Sequence, residues 1–539
     1  MFRSLFALTA TVLLAAGCGG ATPSAPTGGG DSTQPKSGGT LTSAFRSDPF
    51  DWDPTTAGIS IGNQHGWSTS HESLLTVKLG PDVDFNETVL QPALAERWEI
   101  SPDAKTYTFY LRKGAKFHDL PPVNGREITS ADVKWSYEYA SRTGAHKETK
   151  LGPAKFAQFF EDLQAIETPN PSTVVVKFGT PFSPFLSNAA EFSNPILPRE
   201  VFDQDGSHKD KLIGAGPFYL DTNASQKGSR WVFKKHAGYW EPGRPYLDEI
   251  RWLVLPDEAT LAAAFTTKQV DVRPSGPENA EQAKAKYAGA VVYDYVTPGG
   301  TMLYMNVRRA PLDDVRVRRA ISLALDRDEF AKVMNDGKAG YAMAGAFTGY
   351  FTEAEMRDAL KHDPEQAKRL LAEAGYGAGL NMEHFYPGNA FGEAYLNGMQ
   401  VLQSQLKKVG INLTLRSFDL ADYLSRTRGN TFDLTLRGLS TGIDVDSFLY
   451  GSFHPTSGRN YNGVNDPKLT QIIEAQRQET DIAKRRELIR QASRHITDNA
   501  LALFAHGAVS YFVWQPYVKN FRPNAARTVA PFGATWLDK

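Results

Sequence analysis

The sequence contains a single cysteine among its 539 residues, and this scarcity excludes several kinds of protein. Cys18 has no partner for an intramolecular disulfide, and one thiol cannot build a cysteine-rich metal site. The apolar run before it, Leu5 to Leu14, has about ten residues and is too short to span a bilayer. A basic start at Arg3, this apolar core and the small residues 15–17 are typical of a secretory signal. We therefore predict a signal peptide over residues 1–17.

The position of Cys18 directly after small residues resembles the lipobox of bacterial lipoproteins, in which the cysteine is lipidated and becomes the mature N-terminus. Ala15 departs from that pattern, since Leu is commonest there, and a plain secretory signal containing a cysteine is the alternative. Residues 18–37 are predicted to be a flexible linker, because they are almost free of residues that could form a core. We expect a body held by the lipid on Cys18 at the periplasmic or cell-surface side of a membrane.

An excess of charge of one sign is lacking too. The chain has 59 Lys and Arg against 60 Asp and Glu, a formal net charge of −1, so binding to nucleic acid is not expected. No apolar run after the signal is long enough to span a bilayer, and we expect a soluble body. Its length, roughly 500 residues, exceeds what a single hydrophobic core supports, and it predicts two or three domains.

Complete metal-binding and nucleotide-binding motifs of catalysis are also missing. His71-Glu72 begins like a zinc-protease motif, but Leu75 stands where the second histidine ligand is needed. The glycines of 375–379 follow a helical pattern instead of opening one, and 444–447 lacks the continuation of a calcium loop. A P-loop does not occur, but the letters of the GxSxG motif do, at 58–62 (GISIG) and at 438–442 (GLSTG). We expect no catalytic residue, no metal and no cofactor, although a triad assembled in space would leave no such motif.

Local patterns predict alternating strands and helices. Apolar alternation on both sides of the turn 101–105 predicts a β-hairpin, and Thr129 with Asp132 predicts a helix N-terminus. Asp363 followed by Pro364 predicts another helix start. The arginines of 312–327 are predicted on the solvent flank of an amphipathic helix, with an anion site as the alternative. These patterns favour an α/β protein with mixed sheets and at least two lobes.

Several stretches together resemble the bacterial extracellular solute-binding proteins of family 5, the peptide and nickel type. They are ALAERWEISPDAKTYTFYLRKGAKFHD (93–119), ITSADVKWSYEY (128–139), GGTLTSAF (38–45), GAGPFYL (214–220), YWEPGRPYLDEIRWLVLPDEATLAAAFTTKQVDV (239–272), MNVRRAPLDDVRVRRAISLALDRDEF (305–330), DPEQAKRLLAEAGY (363–376) and LQSQLKKVGINLTL (402–415). The order of these matches is that of the family, and they cover nearly all of residues 38–520.

This resemblance implies a two-lobed periplasmic-binding-protein fold (type II, cluster C) with an extra small domain inserted in the first lobe. The implied boundaries are 38–77, 195–296 and 507–539 for lobe I, 78–194 for the small domain and 297–506 for lobe II. It implies a monomer that captures a solute between the lobes and delivers it to ABC transporter permease subunits, without chemistry on the solute. The implied hinge lies at Pro298, Gly299, Gly300, His506 and Gly507.

Peptide-binding members of this family commonly hold the ligand's free amine with an aspartate in a loop after a strand of the second lobe. An ungapped comparison places Thr441 at that position, so whether this chain has the amine anchor stays open. Asp444 is either a ligand contact or a structural residue. Asp446 fits a helix N-cap. The residues that the resemblance assigns to the ligand cleft, each with core packing as its alternative, are Trp52, Trp67, Tyr386, Asn389, Ser440, Thr441, Asp444 and Phe453.

Three functions remain open from the sequence. The first is a transport protein for peptides or peptide-like solutes. The second has the same fold but binds a metal chelate, an oligosaccharide or another polar nutrient. His65 and His454 are predicted loop histidines, which are more often solvated than ligands. The third, from a different class, is a surface-anchored hydrolase.

Overall fold

The structure is a computed structural model. It describes residues 34–46, 48–49, 51–56, 61–80, 83, 88–146, 154, 156–287, 289–335, 337, 341–343, 350–388, 393–438, 442–523 and 532–539. The chain divides into two units, Met1–Pro35 and Lys36–Lys539. Nearly all described residues belong to the second unit, so the predicted signal peptide and Cys18 lie outside them.

Strands and helices alternate along the described chain. The strands are β1 (Thr40–Phe45), β2 (Leu75–Val77), β3 (Leu90–Pro92), β4 (Ala95–Ile100), β5 (Thr106–Leu111), β6 (Leu163–Asn170), β7 (Thr173–Phe178), β8 (Phe218–Leu220), β9 (Arg230–Lys235), β10 (Glu249–Val254), β11 (Val272–Ser275), β12 (Val291–Met305), β13 (Leu380–Tyr386), β14 (Ile411–Ser417), β15 (Leu434–Gly438), β16 (Leu503–Trp514), β17 (Val518–Lys519) and β18 (Trp536–Leu537).

The helices are α1 (Ile61–Ser70), α2 (Ser130–Ser141), α3 (Phe185–Asn188), α4 (Arg199–Asp205), α5 (Glu258–Thr266), α6 (Pro277–Lys286), α7 (Val315–Ala324), α8 (Arg327–Asn335), α9 (Glu353–Ala359), α10 (Pro364–Glu373), α11 (Glu393–Lys408), α12 (Leu420–Arg428), α13 (Asp446–Phe453), α14 (Pro467–Gln478) and α15 (Ile482–Asp498). Short 3-10 helices cover Gly144–His146, Ala157–Phe160 and Phe532–Ala534. None of the helices in the described part is long and apolar enough to cross a membrane.

A ten-stranded sheet organises the second unit, in the order β14-β13-β15-β12-β16-β11-β1-β10-β9-β8. Its two central strands, β12 and β16, pair antiparallel from Val291 with Trp514 to Leu303 with Leu503. The strands from β11 to β8 form the half that we call the first lobe. The strands β15, β13 and β14, with helices α7 to α15, form the second lobe. The predicted mixed α/β class is confirmed.

Each lobe has its own hydrophobic core. In the first lobe Trp67, Trp252 and Phe233 are fully buried in one cluster. In the second lobe separate clusters cover the two faces of β12, because successive side chains of a strand point to opposite faces. Leu303 belongs to one cluster and Tyr304 to the other. A strand buried on both faces supports helices on each side, as α/β packing requires.

A second sheet, in the order β4-β5-β7-β6, lies within the segment predicted as the extra domain. We call residues 88–194 the small domain. Its first hairpin confirms the predicted turn at 101–105, since Trp98 pairs with Phe109 and Ile100 with Tyr107. The predicted start of α2 is also confirmed, because the Asp132 carboxylate accepts the Thr129 backbone N–H (2.8 Å). The exact domain boundaries stay a prediction.

The arginines around α7 are structural, as expected, but their predicted place on the solvent flank is wrong for Arg318 and Arg327, which are buried. Arg327 donates to the carbonyl oxygens of Leu360 and Phe504. Arg318 donates to the carbonyl oxygens of Leu312, Asp313, Asn499 and Ala500. Helix α15 ends at Asp498, so its last carbonyls need donors from elsewhere in the fold. A guanidinium with five donors meets that need in a way that periodicity alone does not reveal.

Candidate functional site

Strands of the two lobes end on either side of the irregular stretch where β12 pairs with β16 in the large sheet. In the second lobe β13 and β15 are parallel, and Gly438 at the end of β15 pairs with Thr301 in the middle of β12. In the first lobe β1 is parallel to β11, and β11 runs antiparallel to β16 towards its middle. In open α/β sheets ligands bind in the crevice outside the carboxyl ends of strands. The point where β12 and β16 cross between lobes is therefore the candidate site.

The pairing of β12 with β16 is irregular at this crossing. The register shifts between Thr297 and Gly300, and Gly300 then pairs with Gly507. Glycine at both partners of one pair leaves the backbone free to change conformation. All the predicted hinge positions lie within or beside this irregular stretch: Pro298, Gly299, Gly300, His506 and Gly507. Their function as a hinge stays a prediction.

Of the residues predicted to contact ligand, some lie on loops that follow the carboxyl ends of two second-lobe strands, β13 and β15. Tyr386 is the last residue of β13, half-buried against the second-lobe core. Asn389, Ser440 and Thr441 lie outside the described residues. Their assignment to the cleft stays a prediction.

The predicted aromatic ligand contacts lie in the cores. Trp67 is fully buried and its Nε1 donates to the Trp52 carbonyl oxygen (2.9 Å). Trp52 is buried against Gly66, where an added Cβ would lie 2.3 Å from the ring, and meets Trp231 edge-on. Phe453, at the end of α13, is buried in the second lobe. These contacts are packing contacts, and a ligand contact at any of these residues stays a prediction.

Asp444 is buried and joined to Arg485 by two hydrogen bonds, of 2.6 and 2.9 Å. Burial alone would raise the pKa of the Asp444 carboxyl, but the charge and hydrogen bonds of Arg485 outweigh it and hold the pKa below its usual value. The same carboxylate accepts the backbone N–H of Asp446 (2.8 Å) at the start of α13. Asp444 therefore has a structural role, and a contact between Asp444 and a ligand stays a prediction.

The predicted N-cap role of Asp446 is wrong, because Asp446 is already the first residue of α13. Its buried carboxylate accepts from Gln476 (2.6 Å) and lies 3.2 Å from Arg477. Burial is the main reason that the pKa of Asp446 is raised. Together the two aspartates anchor the segment before α13 to α14 and α15.

The predicted solvated loop histidines are buried instead. His65 lies in α1 between the rings of Phe45 and Trp252, and burial lowers its pKa to about 3. His454 is stacked on Tyr450, with ring centres 4.1 Å apart. Within the described part of the chain, no group of three or more His, Cys, Asp or Glu side chains could hold a metal ion.

Sequence reasoning missed a set of contacts that join the small domain to the second lobe. Glu161 forms an ion pair with Arg477 and accepts a hydrogen bond from the Tyr450 hydroxyl (2.5 Å). Ser183 donates two hydrogen bonds to the C-terminal end of α14, from its N–H to the Arg477 carbonyl oxygen (2.8 Å) and from its hydroxyl to the Glu479 carbonyl oxygen. The buried Glu191 carboxylate accepts the backbone N–H of Ile443. No local sequence pattern predicts these contacts, because their partners lie hundreds of residues apart in the sequence.

A small cavity of about 150 Å³ adjoins these contacts, lined in part by Glu161, Phe182, Tyr450, His454 and Arg477. It lies between the small domain and the second lobe. The small domain and the second lobe therefore meet along a polar seam that includes both charged and aromatic side chains.

Comparison with known proteins gives concordant results. Residues 89–460 match the family described as bacterial extracellular solute-binding proteins, family 5 Middle. The dipeptide-binding protein of Escherichia coli (strain K12) is 30% identical over 452 residues, which are 78% of this chain and 82% of that protein. The di/tripeptide-binding protein 1 of Pseudomonas aeruginosa (strain UCBPP-PA14) is 27% identical over 83% of this chain and 84% of its own length.

Among solved structures, the ABC transporter-associated periplasmic binding protein DppA from Helicobacter pylori, in complex with the peptide STSA, has a TM-score of 0.81. It is 24% identical, and the superposition covers 94% of this chain and 99% of that one. This likeness shows the fold, and it confirms the predicted two-lobed architecture.

Proposed function

Because the chain belongs to the bacterial extracellular solute-binding proteins of family 5, we propose that it is the substrate-binding component of an ABC importer. It captures peptides or peptide-like solutes between its lobes and delivers them, chemically unchanged, to the permease subunits. The dipeptide-binding relative at 30% identity supports the choice of peptides over metal chelates, oligosaccharides and other polar solutes.

The observation that carries this proposal is that strands of both lobes end on either side of the irregular stretch of the β12–β16 pairing. A crevice between two lobes encloses a ligand when the lobes rotate together about two crossing strands. Ligand binding shifts the open and closed populations only by its difference in affinity for the two states. The ligand residues at the strand ends, the hinge at 298–300 and 506–507, and a monomeric state belong to the same proposal.

Native mass spectrometry of the protein, exported to a periplasm and gently purified, tests the choice of ligand. Bound short peptides that are lost on denaturation are the expected result. The control is the same protein after exchange of its buffer. A single sugar or metal chelate in their place would overturn the peptide proposal and leave the fold and transport role intact. Recovery of cleaved peptides after incubation would instead favour the surface hydrolase.

The anchoring proposal is separate from the choice of ligand. We infer that Cys18 carries a lipid, and the arrangement of a basic start, an apolar run and small residues before it supports this. One lipid chain gives only marginal membrane binding, and stable anchoring needs more than one. Mass spectrometry of the mature N-terminal peptide is expected to show lipid on Cys18, and Cys18→Ala is expected to release the protein from membranes. An unmodified thiol at Cys18 would refute the lipid anchor.

A further inference from the structure

Histidines are concentrated where the small domain meets the first lobe. Five of the eleven histidines in the sequence are buried along this boundary: His71, His118, His146, His208 and His236. Ring contacts cross the boundary between His118 and His236, with centres 4.9 Å apart, and between Tyr139 and His208, with centres 5.8 Å apart. Burial disfavours the charged imidazolium, so added protons oppose the packing at this boundary.

His118 joins the small domain to the first lobe with its backbone and with both ring nitrogens. Its backbone N–H donates to the Gly214 carbonyl oxygen (2.8 Å), and its Nδ1 accepts the Gly214 N–H (3.3 Å). Because Nδ1 is an acceptor, the neutral ring carries its proton on Nε2, which lies 3.1 Å from the Gly216 carbonyl oxygen. The same oxygen lies 3.1 Å from Nδ1 of His236. One carbonyl group therefore accepts a hydrogen bond from both rings.

The segment that carries this carbonyl group has no room to move. An added Cβ would lie 2.3 Å from the Ser70 carbonyl oxygen at Gly214, and 2.6 Å from the Ser70 carbonyl carbon at Gly216. The Gly216 N–H donates to the Ser70 carbonyl oxygen (3.0 Å) at the end of α1. On the other side, the His236 N–H donates to the Pro217 carbonyl oxygen (2.9 Å). The hydrogen bonds of the two rings therefore depend on a fixed part of the first lobe.

A second proton on these rings is incompatible with the contact. On His118 the proton would enter at Nδ1 and point at the Gly214 N–H, so that two donors would face each other. With both rings charged, two positive charges would lie about 5 Å apart in a buried site. Burial is the main reason that the pKa of each ring is lowered, and the neighbouring His236 lowers that of His118 further.

The groups that face the pair compensate little for such charge. His118 faces the ring of His71, and a charge on that ring would also be unfavourable, because burial lowers the pKa of His71 to about 3. His236 faces the Asp119 carboxylate and the Lys116 ammonium, which shift the pKa of His236 in opposite directions. The remaining titratable groups are an uncharged ring beside His118 and two groups that face His71: Tyr219, Asp53 and His208.

We propose that His118 and His236 form a pH-sensitive contact, in which acid protonates the pair and releases the small domain from the first lobe. The small domain also holds the second lobe, through Glu161 and Glu191. Its release therefore weakens the contacts between the lobes and lowers the retention of a solute. This regulation goes beyond the proposed capture of solutes and does not depend on which solute is bound.

The size of the effect follows from proton linkage. In the released state the two histidines titrate near their usual value of 6.5, whereas in the docked state the pKa of each is lower. The released state therefore binds more protons, so the contact is fully present above about pH 6.5 and is lost as the pH falls. Each histidine raises the ratio of released to docked molecules by up to about tenfold at pH 5.5, and the pair by up to about a hundredfold.

Hydrogen–deuterium exchange of the full chain, read by mass spectrometry at pH 7 and pH 5.5, measures this release. Labelling times are scaled to cancel the pH dependence of the chemical exchange rate. Segments 116–120 and 212–216 are expected to exchange faster at pH 5.5, by up to about a hundredfold. The second-lobe strand β14 is expected to take up no deuterium over the same times.

Variants assign the acid response to the pair. His236→Asn keeps an N–H donor for the Gly216 carbonyl oxygen but does not titrate, and it is expected to reduce the acceleration to about tenfold. His118→Gln keeps a donor at the Nε2 position and is expected to have a similar effect. His236→Asn decides alone if His118→Gln does not fold, because His236 is not bonded through a second ring nitrogen to Gly214. The matched control is His362→Asn, at an exposed histidine of the second lobe, and it is expected to keep the full response.

Three results would overturn the pH-sensitive contact. They are equal exchange of segments 116–120 and 212–216 at both pH values, simultaneous exchange of β14, which indicates unfolding of the whole protein, and a full acid response in every folded variant of the pair. The proposed capture of solutes stands in each of these cases, because it is measured separately at neutral pH.

Discussion

Replacing Glu161 with glutamine tests whether the small domain holds the second lobe in the arrangement that the structure shows. In the structure the Glu161 carboxylate faces Arg477 and accepts a hydrogen bond from the Tyr450 hydroxyl. Glutamine keeps the size of the side chain and an acceptor for Tyr450, but it removes the charge opposite Arg477. Arg477 keeps its contact with Asp446, so the substitution changes the seam between lobes and leaves the second lobe paired internally.

The size of the effect follows from exposure. A hydrogen bond to a charged group contributes about 1.5–3 kcal/mol when it is desolvated. The Glu161 side chain is 41% exposed, so solvent screening reduces the loss to about 1 kcal/mol. A change of about 1 kcal/mol corresponds to roughly a fivefold shift in the ratio of closed to open molecules. The variant is therefore expected to be more open without ligand and to bind ligand about fivefold more weakly.

Small-angle scattering of the ligand-free protein measures this shift without knowledge of the ligand. The radius of gyration is expected to increase for Glu161→Gln relative to the wild type, and to return towards the wild-type value when ligand is added. The control is Glu167→Gln, because Glu167 pairs with Lys177 (2.7 Å) inside the small-domain sheet and touches no second-lobe residue in this pair. Identical scattering for all three proteins, or an equal change in both variants, would refute the reasoning.

Two further predictions concern stability. Asp444→Asn is expected to cost about 3 kcal/mol in urea unfolding, because it leaves the largely desolvated Arg485 guanidinium without its charge partner, whereas Asp422→Asn in an exposed pair should cost under about 1 kcal/mol. Equal costs would contradict this. Burial lowers the pKa of His65 and of His384 to about 3, so the unfolded state binds more protons below about pH 6.5. The contribution of each neutral histidine to the free energy of unfolding is therefore fully present above that pH and decreases by about 2 kcal/mol by pH 5. The substitution His65→Phe should reduce this loss in thermal melts.

Local signals in the sequence predicted local structure well. The hairpin around 101–105 and the starts of α2 and α10 depend on side chains within a few residues of the backbone groups that they satisfy. At α10 the Asp363 carboxylate accepts the Gln366 N–H (2.8 Å), as its position before Pro364 predicts. Such signals need no knowledge of the tertiary fold, and they account for most of the correct element assignments.

The candidate site was harder to predict, because aromatic and charged residues have the same appearance in a core and in a cleft. Trp52 and Trp67 are large side chains in loop-rich sequence, yet they pack together in the first lobe. In the sequence Asp444 looks like a ligand contact, but Arg485, 41 residues later, supplies an internal partner for its carboxylate. Only the distances between elements distinguish these cases, and sequence periodicity carries no information about them.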